Sequence, residues 1–167
     1  MREIAGRLSK TLNMAIEAVV ALLMVLLVLD VWLGVVDRYL FHWQLPWPET
    51  LARYLMIWAA MLAISCAIAR REHIGLTLLI DRLPDAAKRG ALIISDILAL
   101  CLFAYLLWFG IDFAASGMQR QAMIFGATLM PAFAAIPVAA AISALQLSLV
   151  VIRDMGGQPL IAQTEEV

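Results

Sequence analysis

The sequence predicts an all-α polytopic membrane protein: four transmembrane helices, with an interfacial amphipathic helix between the second and the third. Three observations carry that class. The 167 residues are 64% hydrophobic and 15% charged, with mean hydropathy +0.92, too apolar for a soluble domain of ordinary surface. Four apolar stretches approach the roughly 20 residues a helix needs to cross about 30 Å of hydrocarbon. Lys and Arg gather on one side of those stretches. The net charge of -1 leaves no strongly basic face for nucleic acid, so the lipid bilayer is the partner that composition implies.

The first span is Leu12 to Val36. Arg2, Arg7 and Lys10 precede it, as in a secretory signal. Its apolar part, however, runs from Ala18 through Leu29 and past Asp30, longer than the usual signal core of about 7 to 15 residues and without an A-x-A-like exit. A retained helix is expected. The second span is Leu51 to Ala69, with Pro48 suited to its first turn and Trp43 and Trp47 fitting an interfacial aromatic belt. Then comes "HIGLTLLIDRLPDAAKRG", too polar to cross. His73, Thr77 and Asp81 recur every fourth residue among Ile74, Leu76, Leu78, Leu79, Ile80 and Leu83, the pattern of a helix lying flat in the headgroup layer. Pro84 should end that helix, and Asp85 should cap the third span, Ala91 to Ile111. The fourth is Pro131 to Ile152, where the interior Pro137 frees a carbonyl and should bend the helix.

Small residues recur every fourth position at Ala59, Ala63 and Ala67, and at Ala127, Pro131, Ala135, Ala139 and Ser143. Such rows let backbones approach closely, within this chain or against a partner. One transmembrane domain over residues 1–155 is expected, with 156–167 a flexible tail. Arg2, Arg7, Lys10, Arg70, Arg71, Arg82, Lys88, Arg89 and Arg153 share one side of the four spans, whereas Arg38, Arg53 and Arg120 share the other. Basic residues collect in cytoplasmic loops, so both termini should be cytoplasmic.

Asp30 and Asp96 are the acids that read as lying well inside spans, with Arg53 a candidate partner for Asp30, and Arg70 or Arg71 for Asp96. Intramembrane acids serve as proton carriers or ion ligands, or as structural pairs that orient helices. The first role allows a self-sufficient four-helix, proton-coupled antiporter of the small multidrug type, with Asp30 titrating; the long basic connector argues against it. His42 and His73 sit at water boundaries, unlike facing haem ligands. Cys66 and Cys101 lie in apolar runs where thiols act as small hydrophobes. Phosphate-cradling loops, catalytic triads and metal-ligand spacings are absent from the sequence, so neither an enzyme nor a cofactor is expected.

In "PWPETLARYLMIW", Glu49 and Arg53 lie at i and i+4 on one helix face, and Arg38 arrives from the preceding helix. Hydrogen-bonded together, they would pin the turn and present a charged ridge, although an exposed pair contributes only about 0.3 to 0.5 kcal/mol.

From Val36 to Pro84, the ordered set "DRYLF", "PWPETLARYLMIW", "ARREHIGL" and "DRLP" resembles the small membrane subunit of tripartite ATP-independent periplasmic (TRAP) transporters. The residues carrying the resemblance are Arg38, Tyr39 and Phe41; Trp47, Glu49, Leu51, Ala52, Arg53 and Trp58; and Arg70, Arg71, His73 and Ile74. "MPAFAAIPVA" resembles the family's last helix. The family often has two acids before Leu-Ala-Arg, whereas this chain has Glu49 then Thr50. The resemblance implies a bacterial inner-membrane subunit beside a large many-helix membrane subunit that carries solute and sodium by an elevator motion. A periplasmic substrate-binding protein would deliver an organic acid, such as a C4-dicarboxylate. The small subunit would be the fixed scaffold.

Overall fold

The computed structural model describes residues 2–70, 84–121 and 128–154. All its regular elements are helical, as the sequence predicts, and four helical segments are long and apolar enough to cross a membrane. Helix α1 spans Arg2–Val36 and closes in a π-helical turn, Asp37–Phe41. Helix α2 spans Pro48–Ala69, α3 Asp85–Ser116 with a 3₁₀ turn at Gly117–Gln119, α4 Met130–Phe133, and α5 Ala135–Asp154. The segment read as an amphipathic interfacial helix lies almost wholly outside the described residues, and so does the tail.

The helices outrun the apolar stretches. At 35 residues, α1 is about 52 Å long, well beyond the hydrocarbon thickness, because a helix continues its own hydrogen-bond ladder through polar ends. Pro48 occupies the first turn of α2, where its missing N–H costs nothing. Pro84, in extended conformation with ψ 151°, holds the cap position of α3 that the sequence suggests for Asp85, and the Asp85 backbone is already helical. A proline's fixed φ and the extended ψ it adopts here make it a sharp helix start.

Pro137 interrupts the last span, but three residues earlier than its own position. Without an N–H it gives Phe133 no partner one turn back; the chain makes a turn at Ala134, and the Val138 N–H reaches the Ala134 carbonyl at 3.2 Å.

Helix α5 is the hub. It packs against α1, α2 and α3, while α1 and α2 lie side by side and α3 packs chiefly on α4 and α5. In the most apolar stretch of each span, 44% of the last, Met130–Asp154, is buried within this chain, against 6% for the first and for the third. Ala135, Ala139 and Ser143, the small-residue row of α5, are all buried, so that row serves packing inside the chain. Leu147, Val150 and Ile68 complete the apolar centre.

Candidate functional site

The threshold between α1 and α2 is organised by Asp37. This side chain is only 6% exposed, and its two carboxylate oxygens accept the backbone N–H groups of Trp43 at 2.9 Å and Leu45 at 2.8 Å. The His42 N–H returns to the Asp37 carbonyl at 2.6 Å. His42 and Gln44 both take left-handed backbone, at φ 53° and 54°, a conformation costly for residues with a Cβ and held here by those bonds. Phe41 and Trp43 stack at 4.4 Å on the outside of the turn. Pro48 is buried close to Gly34 of α1, where an added Cβ would lie 3.6 Å from the proline ring.

Glu49 and Arg53 form an ion pair one helical turn apart, with their side chains 74% and 67% exposed. Arg38 does not join them; it is exposed and makes no hydrogen bond or ion pair with any described residue. The turn is therefore pinned by Asp37, which the sequence reading passed over. A lone acid at the end of an apolar helix, followed by "HWQLPWP", is the signal that points to it.

Trp47 is half-buried beside Pro48. Trp58 sits at mid-length in α2, where its Nε1–H donates to the Pro131 carbonyl at 3.0 Å and ties α2 to the start of α4. Opposite, Gly110 of α3 abuts Pro137: a Cβ there would come within 3.2 Å of the ring. Phe113 stacks on Phe133 at 4.3 Å, and Gly117 lies so near Met130 that a Cβ would sit 2.8 Å from its backbone nitrogen.

The other end of the bundle holds a polar seam that the sequence reading also missed. Buried Gln146 donates to the Ser9 hydroxyl at 2.8 Å, joining α5 to α1. One turn on, Asn13 donates to Glu17 at 2.8 Å, and the Arg70 guanidinium grips the same Glu17 oxygen, its Nε at 3.2 Å. Glu17 lies inside the first predicted span and is the acid that meets Arg70. Ser65 and Ser143 are buried among these helices.

Asp30 is 6% exposed, and both of its oxygens are enclosed between α1 and the Ala52 backbone of α2 without a well-formed hydrogen bond. Arg53, its expected partner, is committed to Glu49. Asp96 is half-buried on α3. Arg71 and His73 fall outside the described residues. Asp112 on α3, beyond the predicted end of the third span, is exposed.

Long apolar helices, a polar seam that fastens them together and a charged rim define the class: a multi-pass integral membrane protein. The chain belongs to the DctQ component family of tripartite ATP-independent periplasmic transporters, whose model matches residues 27–157. It is 32% identical over 100 residues to a Haemophilus influenzae protein that carries the name TRAP transporter small permease protein, covering 60% of each chain. Over 66 residues it is 38% identical to the isethionate TRAP transporter permease protein DctMQ of Oleidesulfovibrio alaskensis, covering 40% of this chain and 10% of that one. Over 73 residues it is 29% identical to the sialic acid TRAP transporter permease protein SiaT of Haemophilus influenzae, covering 43% of this chain and 12% of that one. The resemblance read from the motifs is thus the family itself.

Proposed function

We propose that this chain is the small, stationary membrane subunit of a sodium-driven TRAP-type importer of an organic acid. It sits in the bacterial inner membrane with both termini cytoplasmic. Beside it stands a large many-helix permease subunit, which moves solute and sodium by an elevator motion while this chain braces it. A periplasmic binding protein delivers the solute to the large subunit. Two of the relatives support the large partner, because the stretch resembling this chain is about a tenth of their length. Both are named for acids, isethionate and sialic acid, which supports an anionic solute.

One observation carries the reading. The recess between α3 and α5, a groove of about 450 Å³, is lined by residues such as Leu107, Ile111, Ala114, Met130 and Val138, which offer an anion nothing to bind. An apolar lining of this kind supports placing the solute and ion sites in another chain.

The test is co-purification from native membranes through a tag on this chain, followed by reconstitution. A much larger membrane protein should accompany it, and uptake should need both chains together with the binding protein. Arg53→Ala is expected to weaken uptake while the binding protein keeps its affinity for solute. Solute uptake into vesicles holding this chain alone would overturn the proposal.

A further inference from the structure

Asp112 is a carboxylate on a membrane helix, exposed on the outside of the bundle, with no hydrogen bond or ion pair to any described residue. Its depth follows from its neighbours. Gly110 and Phe113 of α3, and Gly117 of the 3₁₀ turn after it, meet Pro137, Phe133 and Met130 in turn, so this stretch runs antiparallel beside residues 130–137. Trp58 fixes the same stretch to the middle of α2 through Pro131. Asp112 therefore stands within the apolar span Gly90–Gln119, seven residues before its end and beside the start of the last span. Hydrocarbon tails offer a carboxyl group there neither a cation nor a donor, and acids at such depth are found against protein.

Beside it lies the apolar groove. Asp112 follows Ile111 and precedes Ala115 by three positions; both line the groove, so the carboxyl stands at its rim. Ala114, Ala115, Ala134 and Ala141 keep the floor shallow enough for a helix backbone to approach, and Met118 and Met130 at one end supply side chains that adapt to whatever packs on them. The outward face of α1 contrasts with this. Leu22, Val25, Leu26 and Leu29 leave lipid tails nothing polar to satisfy.

We propose that the α3–α5 groove is the surface on which a transmembrane helix of the large permease subunit docks, presenting a hydrogen-bond donor or cation to Asp112. This rests on the function proposed above; it adds which face is used and which residue recognises the partner.

The experiment places a photoreactive phenylalanine analogue at Leu107 or Met118 in the groove, and at Leu22 or Leu29 on α1, in the full complex in native membranes. Groove positions should give adducts with the large subunit, and α1 positions should not. Asp112→Leu should lower the groove adduct yield about tenfold, the worth of one interhelical hydrogen bond in a membrane, while Asp112→Asn, which still pairs, keeps most of it. Adducts from α1 instead of the groove overturn the surface but leave the proposed function standing, and a yield unchanged in Asp112→Leu overturns the role of Asp112. Groove adducts at twice this chain's 18.4 kDa would make the face a self-association surface and overturn the proposal. Absence of the large subunit from every adduct and from the co-purified material overturns both readings.

Discussion

Asp37 and Glu49 are both acids at the α1–α2 threshold, yet their energetic standing differs by burial. Glu49 shares an exposed ion pair that water and salt screen, so Glu49→Gln should shift stability by less than about 0.5 kcal/mol. Asp37 is buried and satisfies two backbone donors, and removing it leaves Trp43 and Leu45 N–H groups without acceptors. Asp37→Ala should therefore cost about 2 to 4 kcal/mol, read by thermal unfolding, with faster amide exchange at Trp43 and Leu45 that Glu49→Gln does not produce. Equal destabilisation by the two variants would contradict this assignment. Motif reading drew attention to Glu49, Arg53 and Arg38 because charge spacing is visible along a chain. The Asp37 bonds depend on two left-handed residues that spacing does not show.

At the scale of elements, span number and order were legible because hydropathy reports directly on what can enter a bilayer. Helix ends were less so. The first span was read from Leu12, but α1 already runs from Arg2, since Ser9, Asn13 and Glu17 look like surface residues until α5 and α2 supply Gln146 and Arg70. The last span is interrupted one turn before Pro137, and the glycines packed there were not legible: Gly110 and Gly117 acquire meaning only once the third span lies against α4 and α5. Gly117→Ala forces the Met130 backbone to move and should destabilise by about 1 to 3 kcal/mol. Gly110→Ala meets Pro137 at 3.2 Å but gains about 1 kcal/mol of helix propensity, so its net loss should be smaller. Thermal unfolding of the two variants gives the order, and a larger loss at Gly110 would contradict the packing described.

For the whole molecule, Asp30 separates a brace from a self-sufficient carrier. Its carboxyl is enclosed in the α1–α2 seam rather than set along a polar path, so Asp30→Asn, which keeps size and shape, should leave uptake by the reconstituted complex intact. Uptake abolished in that variant while the assembly survives would favour proton coupling by this chain. The described interior is also fastened at two levels, Trp58 at mid-length of α2 to Pro131 at the start of α4, and Gln146 of α5 to Ser9 near the start of α1, which would suit the proposed brace.

The hub position of α5 also dictates an order of events at the ribosome. The chain is made from its N-terminus, so α1, α2 and α3 enter the bilayer before the helix that joins them exists. Helices α1 and α2 can pair at once, but α3 must wait as a solitary rod until α4 and α5 follow. Nascent chains released short of Met130 should therefore hold two paired helices and one unclaimed substrate for membrane quality-control proteases.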